Sequence, residues 1–346
     1  MAEEAPTSID PPGPTRALGV AGEPGAAQAA SPQSSAAKTS TVKTSTSKTS
    51  TSKTSTSKVR GFIREARPRQ WVKNVLVAAA PGAAGVLTHR SALIDTLIAF
   101  VAFCLAASGT YFLNDSLDAE ADRLHPKKRY RPIAAGVISV TTGKITAGIL
   151  IVAGVALGFA TGSWQLPLVT VIYVMCTTSY SIWFKHVTVI DITLLASGFV
   201  LRAIAGAVAT GVPISDWFFI VTAFGSLFVV VGKRHAEFQE MGDARTGTRA
   251  TLGEYSVAYL NYVLAVASGV TMVAYCLWAF EKTAHLGGVP WYELSIVPFV
   301  LAVLRYALVV ENGGGGAPED VVMSDRMLQA MILAWVVIFG IAIYRG

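Results

Sequence analysis

Charged side chains make up only 14% of the 346 residues, while 52% are hydrophobic. Soluble domains carry about 25% charged residues, so this composition excludes an ordinary water-soluble globule and no nucleic-acid partner is expected. Cysteine is scarce as well. Cys104, Cys176 and Cys276 all fall in apolar runs, with no CxxC or Cys/His pattern, which leaves a disulfide framework or a zinc site without support. The five histidines are scattered, and only His125 and His235 neighbour other polar candidates, so a histidine metal centre is not expected. Residues 1–58 lack the apolar core of about 7–15 residues that a signal peptide needs.

What is present is a series of apolar runs near the bilayer-spanning length of about 20 residues. They fall near 74–88, 92–113, 145–162, 165–184, 187–210, 216–232, 257–280, 292–310 and 327–344. The expected fold is all-α: a polytopic membrane helical bundle of about nine transmembrane helices. Before it, the lysine-punctuated repeat "KTSTVKTSTSKTSTSKTSTSK" closes an Ala/Pro/Ser/Thr/Lys-rich extension, 1–58, that cannot bury a core and is expected to be disordered. The domain boundary therefore falls between 58 and 59, with 59–346 as the membrane domain.

Lysine and arginine are distributed unequally between the loops. Arg60, Arg64, Arg67, Arg69 and Lys73 precede the first run, a second group runs from Arg123 to Lys144, and Lys185, Lys233, Arg234, Arg245 and Arg249 follow. The opposite loops hold little beyond Arg90 and Lys282. Because cytoplasmic loops carry the excess of Lys and Arg, the N-terminus and the charged loops are expected on the cytoplasmic side of the plasma membrane, with the C-terminus outside.

The stretch "NDSLDAEADRLHPKKRYRP", 114–132, concentrates the polar chemistry. Asn114, Asp118 and Asp122 recur at four-residue steps and Asp115 joins them, so a helix continuing from the second run would place all four on one face. Carboxylates so close repel unless a cation lies among them. Oxygen ligands suit Mg²⁺, which takes one or two carboxylates plus substrate phosphates. Arg131 follows in the same loop and could bind phosphate oxygens that the ion leaves uncovered. Carboxylates, metal and cations at a membrane boundary describe a diphosphate site.

These residues, the Asn-Asp-x-x-Asp-x-x-x-Asp spacing followed by "RP", resemble the first signature of the UbiA superfamily of intramembrane prenyltransferases. The resemblance covers roughly 59–346 and implies a helical bundle around a polar, cytoplasm-facing cavity, with Asn114, Asp115, Asp118 and Asp122 holding Mg²⁺ and the three aspartates serving catalysis as its ligands. The superfamily's second signature usually has three aspartates; here "GKRHAEFQEMGDARTGTRAT" places Gly232 and Gln239 at the first two of them and keeps only Asp243. In their stead Lys233 and Arg234 lie beside Glu237, a place for a phosphate without a metal bridge.

The stretches "RPRQWVKN" (67–74), "RPIAAG" (131–136), "LRAIAG" (201–206) and "AFGSLFVVVGKRHAE" (223–237) resemble the superfamily's phosphoribosyl-transferring branch. That resemblance implies transfer of 5-phosphoribose from 5-phosphoribosyl 1-diphosphate (PRPP) to decaprenyl (polyprenyl) phosphate, a step toward cell-wall arabinan, with pyrophosphate released. Lys73 is then a candidate phosphate contact. Tyr180 and Lys185 match a recurring Tyr-Ser-x-x-x-Lys element. Asp191 and Arg202, eleven residues apart in the fifth run, belong in the cavity rather than in lipid. A positive flank alone accounts for Arg67 and Arg69. Competing readings are a prenyl diphosphate transferase acting on an aromatic acceptor and a non-enzymatic transporter. Small-residue stretches such as "AGILIVAG" are compatible with a homo-oligomer.

Overall fold

The computed structural model describes residues 51–241, 254–283, 289–314, 316 and 318–345, all in the unit Thr49–Gly346. The described secondary structure is helical throughout. The helix α1, Thr51–Ala66, leads into a 3₁₀ helix, Pro68–Ala78, and the short α2, Ala79–Ala83. Then come α3 (Arg90–Leu117), α4 (Ala119–Leu124), α5 (Val140–Gly158), α6 (Gln165–Ile182), α7 (Ile190–Thr210) and α8 (Asp216–Met241). The series ends with α9 (Val257–Thr283), α10 (Trp291–Glu311), α11 (Pro318–Ser324) and α12 (Arg326–Arg345). The helix α1 takes in the last residues of the lysine repeat, and residues 1–50 lie outside the described part.

Eight described helices, α3, α5 to α10 and α12, are long and apolar enough to cross a membrane. The run expected at 74–88 is not a ninth regular α-helix. The 3₁₀ helix gives way to α2 at Ala79, Pro81 and Gly82 lie within α2, and Gly85, at a φ of 71°, separates α2 from a 3₁₀ turn over Val86–Thr88. The segment still traverses the bundle. Arg67 at its start touches Asp115 near the C-terminal end of α3, while its far end leads into Arg90 at the N-terminal end of α3. With 11 residues in the 3₁₀ helix and 5 in α2, it reaches about 30 Å because 3₁₀ geometry rises about 2.0 Å per residue.

Small residues set the close contacts. A Cβ on Gly109 would lie 2.9 Å from Ala147 O, and one on Gly154 2.7 Å from Ala102 O, so α3 and α5 approach backbone to backbone. A Cβ on Gly206 would fall 1.7 Å from Val77 O. Only glycine there lets α7 accept the 3₁₀ helix, and Val77 enters the same apolar cluster as Phe103, Leu166 and Tyr173.

The loop after α4 is anchored rather than loose. Ile133 and Ile138 are buried against Phe112, and Gly136 at φ 75° lets the chain turn so that Val137 N donates to Pro132 O. This anchoring aims Arg131 back at the end of α3.

Candidate functional site

The end of α3 departs from the expected continuous helix. Asp118, at φ −89° and ψ 5°, breaks the chain into α3 and α4. Asp115 and Asp122 are buried and converge: Arg131 Nη1 lies 3.0 Å from Asp115 Oδ1 and 2.7 Å from Asp122 Oδ2. Asp118 stands apart, partly exposed, with its Oδ1 3.1 Å from Lys185 Nζ. Asn114 donates to Asp115 Oδ1 at 3.2 Å. The four residues are thus gathered at one end of the bundle, but as a converging pair and a separate member instead of a single helical face.

Further cations join them. Arg67 Nη2 lies 2.5 Å from Asp115 Oδ2, and Lys128 Nζ lies 4.0 Å from Asp122 Oδ1. Arg67, which the sequence leaves as a mere positive flank, adopts left-handed φ and ψ of 53° and 58° and stacks over the Tyr111 ring at 4.7 Å. A non-glycine residue held there is strained, and such strain concentrates at functional sites.

Glu65 was not legible in the sequence. Its side chain is buried, and neither carboxyl oxygen receives a hydrogen bond from a described residue. It faces Asp115, with which it can share a hydrogen bond only when one of the two is protonated. Burial and then Asp115 push the Glu65 carboxyl up to about 8, against the opposing pull of Arg67 and Arg131.

Whether these residues suit a divalent ion can be judged from their spacing. Among the described residues, no three His, Cys, Asp or Glu side chains gather closely enough to hold a metal by themselves. Asp115 and Asp122 do converge on one cationic nitrogen, and Mg²⁺ characteristically takes one or two carboxylates together with phosphate oxygens. The pair therefore fits an ion that arrives with a diphosphate.

A second polar cluster lies at the ends of α6, α7, α8 and α9. The segment "GKRHAEFQ" is not a loop but the last turns of α8. This puts Arg234 inside the bundle, 1% exposed, where Nε donates to Asp191 Oδ2 at 3.0 Å, Nη1 to Glu237 Oε2 at 2.5 Å and Nη2 to the Tyr180 hydroxyl at 3.1 Å. Lys233 Nζ is 3.8 Å from Glu237 Oε1. Tyr255, absent from the sequence expectations, donates to Asp191 Oδ1 at 2.5 Å and accepts from Val189 N at 2.8 Å. Val189 has a φ of 70°, unusual for a β-branched residue. Asp243, Gly247 and Arg249 lie outside the described residues.

The two clusters are joined through one sequence element. Tyr180 serves the second cluster, and Lys185, five residues on, serves the first. Asp191 and Arg202 are both buried in α7 but do not meet. Arg202 lies about 16 Å deeper along the axis and hydrogen-bonds Asn74 Oδ1 at 2.7 Å, Gly198 O at 2.5 Å and the Tyr173 hydroxyl at 3.0 Å. Lys73 donates to Gln70 Oε1 at 2.6 Å and faces Glu319 Oε2 at 3.4 Å. Arg305 pairs with Asp325 at 2.7 Å, and Asp325 also accepts from Leu328 N to cap α12. A cleft of about 400 Å³ between α9 and α10, lined by Leu264, Ser268, Leu308 and Glu311 among others, contains none of the expected site residues.

The UbiA prenyltransferase family matches residues 75–323. A decaprenyl-phosphate phosphoribosyltransferase of Corynebacterium glutamicum is 47% identical over 290 residues, covering 82% of this chain and 87% of that protein. One from Mycobacterium tuberculosis is 43% identical over 296 residues, covering 83% and 96%. A UbiA homolog from Archaeoglobus fulgidus, solved bound to GPP and Mg²⁺, shares the fold at a TM-score of 0.62 and 16% identity, over 82% of this chain and 99% of that one.

Proposed function

The chain belongs to the UbiA prenyltransferase family and is an integral membrane protein, and we propose that it transfers 5-phosphoribose from PRPP to decaprenyl or another polyprenyl phosphate. Pyrophosphate leaves, and the lipid-linked product is a precursor for cell-wall arabinan. One observation carries the reading: a diphosphate-type carboxylate cluster with cations on every aspartate is linked through Tyr180 and Lys185 to a second cluster in which Lys233, Arg234 and Glu237 stand next to Gly232, where a usual aspartate is replaced. The similarity to phosphoribosyltransferases over more than four-fifths of the chain supports the same substrates.

In this reading the anomeric carbon–oxygen bond to pyrophosphate breaks and a bond to an oxygen of the lipid phosphate forms. Asp115 and Asp122 would hold Mg²⁺ together with the diphosphate, and the ion would neutralise charge on the departing pyrophosphate. Asn114 orients Asp115, and Asp118 completes the cluster from the break between α3 and α4. Arg67, Arg131 and Lys185, held by these carboxylates, exchange part of that pairing for phosphate oxygens as charge develops on the leaving group. Lys73, Arg202 and the Tyr180–Asp191–Lys233–Arg234–Glu237 cluster bind or position the remaining anionic groups. The lipid phosphate is already an anion near neutral pH, so no side chain has to remove a proton from it.

The charged face, which carries α1 and both clusters, is placed at the cytoplasmic side of the plasma membrane, where PRPP is available and where the Lys/Arg excess belongs. The deciding experiment incubates purified protein with radiolabelled PRPP and polyprenyl phosphate, with and without Mg²⁺. Labelled lipid that forms only with the metal is expected. Prenylation of an aromatic acceptor by a prenyl diphosphate, without transfer from PRPP, would overturn the substrate assignment and keep the fold.

A further inference from the structure

In a 3₁₀ helix, side chains three residues apart eclipse one another. Gln70 and Lys73 do so on the helix Pro68–Ala78, directly after Arg67. Lys73 Nζ donates to Gln70 Oε1 at 2.6 Å, and Gln70 Nε2 donates to Glu319 Oε1 at 2.8 Å. An ammonium only donates and a carboxylate only accepts, so the amide has a single workable orientation. The result is a rigid row that presents the Glu319 carboxylate, carried by α11, to the interior.

Its other oxygen is unfinished. Glu319 Oε2 is enclosed, with the side chain 12% exposed, and faces the Lys73 ammonium at 3.4 Å, a cation that also donates to Gln70. Burial would raise this carboxyl, but its own backbone N–H, Lys73 and Gln70 more than offset that and hold it below the ordinary Glu range. The oxygen is thus an ionised acceptor, ion-paired with Lys73 and with lone-pair capacity left for a further donor.

The position of this acceptor narrows what can satisfy it. Arg67, bonded to Asp115 of the diphosphate cluster, lies one 3₁₀ turn before Gln70, whose N–H donates to Arg67 O at 2.8 Å and whose side chain bonds Glu319. Glu319 is therefore tied to the diphosphate cluster through Gln70 and Arg67, neighbours on one turn of that helix. A phosphate offers Oε2 only further acceptors and negative charge, and a prenyl chain offers no hydrogen bond. A sugar hydroxyl attached next to the diphosphate offers such a further donor.

We propose that Glu319 accepts a hydrogen bond from a ring hydroxyl of the donor's pentose, which makes α11 the element that selects a pentosyl diphosphate over a prenyl diphosphate. The assignment rests on the phosphoribosyl-transfer reading above. Gln70 holds the carboxylate in register, and Lys73 keeps it ionised.

The test compares PRPP with its 2-deoxy and 3-deoxy analogues as donors for the full-length protein in lipid nanodiscs. Wild type is expected to use at least one deoxy donor about tenfold less well in kcat/KM, because a site built for a hydroxyl rejects the analogue lacking it. Glu319→Ala should bring that ratio close to one. Glu319→Gln, which breaks the ion pair with Lys73 but keeps an accepting oxygen, should preserve most of the discrimination, and Asp320→Asn all of it. Equal use of all three donors by wild type, or an undiminished ratio in Glu319→Ala, would overturn the assignment. Should Glu319→Ala fail to fold, the wild-type ratios and Glu319→Gln decide. Absence of any transfer from PRPP by wild type would instead defeat the functional reading on which the inference stands.

Discussion

Lys185 Nζ lies 3.1 Å from Asp118 Oδ1, joining the turn after α6 to the break between α3 and α4 across 67 residues of sequence. Both side chains are about a quarter exposed. A pair so accessible contributes little to stability, at most about 1 kcal/mol, so its place at the site has to be explained by what it does for substrate. Lys185→Ala is expected to leave the thermal unfolding midpoint within a few degrees of wild type while raising KM for PRPP by about tenfold or more. Unfolding followed by tryptophan fluorescence, beside transfer kinetics, checks both halves. A large loss of stability with an unchanged KM would assign the pair to the fold alone.

The carboxylate geometry predicts when the metal binds. Asp115 and Asp122 converge on one nitrogen of Arg131, and no third carboxylate among the described residues completes a cage. An ion held by two carboxylates needs phosphate oxygens to fill its shell. Mn²⁺ used as a spectroscopic substitute should therefore bind at least about tenfold more tightly when pyrophosphate is present, as read by its paramagnetic resonance signal. Asp122→Asn should remove most of that gain. Equally tight binding of Mn²⁺ without pyrophosphate would mean a resident ion instead.

Much of this arrangement is legible in the sequence, and the limits have physical causes. Apolar length reveals eight of the spans because a regular α-helix must bury its backbone in lipid whatever its neighbours are. The segment 74–88 is helical as expected, but apolar content alone does not distinguish one continuous α-helix from a 3₁₀ helix followed by the short α2 and the turn at Gly85. The spacing of Asn114, Asp115, Asp118 and Asp122 locates the first cluster, yet assumes a helix that Asp118 interrupts. Glu65, Gln70, Tyr255 and Glu319 leave no local signal. Each is defined by a partner far along the chain, at separations of 249 residues for Gln70 with Glu319 and 64 for Tyr255 with Asp191.

The buried second cluster makes a prediction about stability. Arg234 is held by Asp191, Glu237 and the Tyr180 hydroxyl, with Asp191 completely enclosed. Removing one partner of a buried ion pair strands the other and costs about 3–5 kcal/mol. Asp191→Ala should fall toward the lower end, because Glu237 still faces the guanidinium. Arg234→Met should be at least as damaging, since it strands Asp191 and Glu237 together. Thermal unfolding of both variants in one detergent checks the order, and a clearly more stable Arg234→Met would contradict it.

Gly206 predicts a defect of placement. A Cβ there would lie 1.7 Å from Val77 O, so Gly206→Ala must push the 3₁₀ helix away from α7. That helix carries Lys73 and Asn74, and Asn74 holds Arg202. A displacement of about 1 Å can cost about a hundredfold in rate. Gly206→Ala should lose activity on that order, while Gly148→Ala, where a Cβ meets nothing within 4 Å, should not. Equal activities of the two variants would show that the 3₁₀ helix adjusts without consequence.

The final prediction concerns pH and follows from Glu65. Its carboxyl is raised from 4.5 to about 8 by burial and by Asp115. A carboxyl raised on folding binds its proton more tightly in the folded protein, so its contribution is fully present below 4.5 and is lost as pH climbs through about 8. Glutamine imitates the protonated form at every pH. In EDTA, Glu65→Gln should therefore match wild type near pH 4.5, gain on it steadily up to about pH 8 and hold a constant advantage above that. Added Mg²⁺ and pyrophosphate should narrow the difference, because positive charge at Asp115 favours the ionised Glu65 and restores to wild type what alkaline pH removes. Unfolding midpoints measured from pH 4.5 to 9 decide the matter: curves that stay parallel across the whole range would mean that Glu65 is already ionised in the folded protein and that Arg67 and Arg131, rather than a shared proton, keep it beside Asp115.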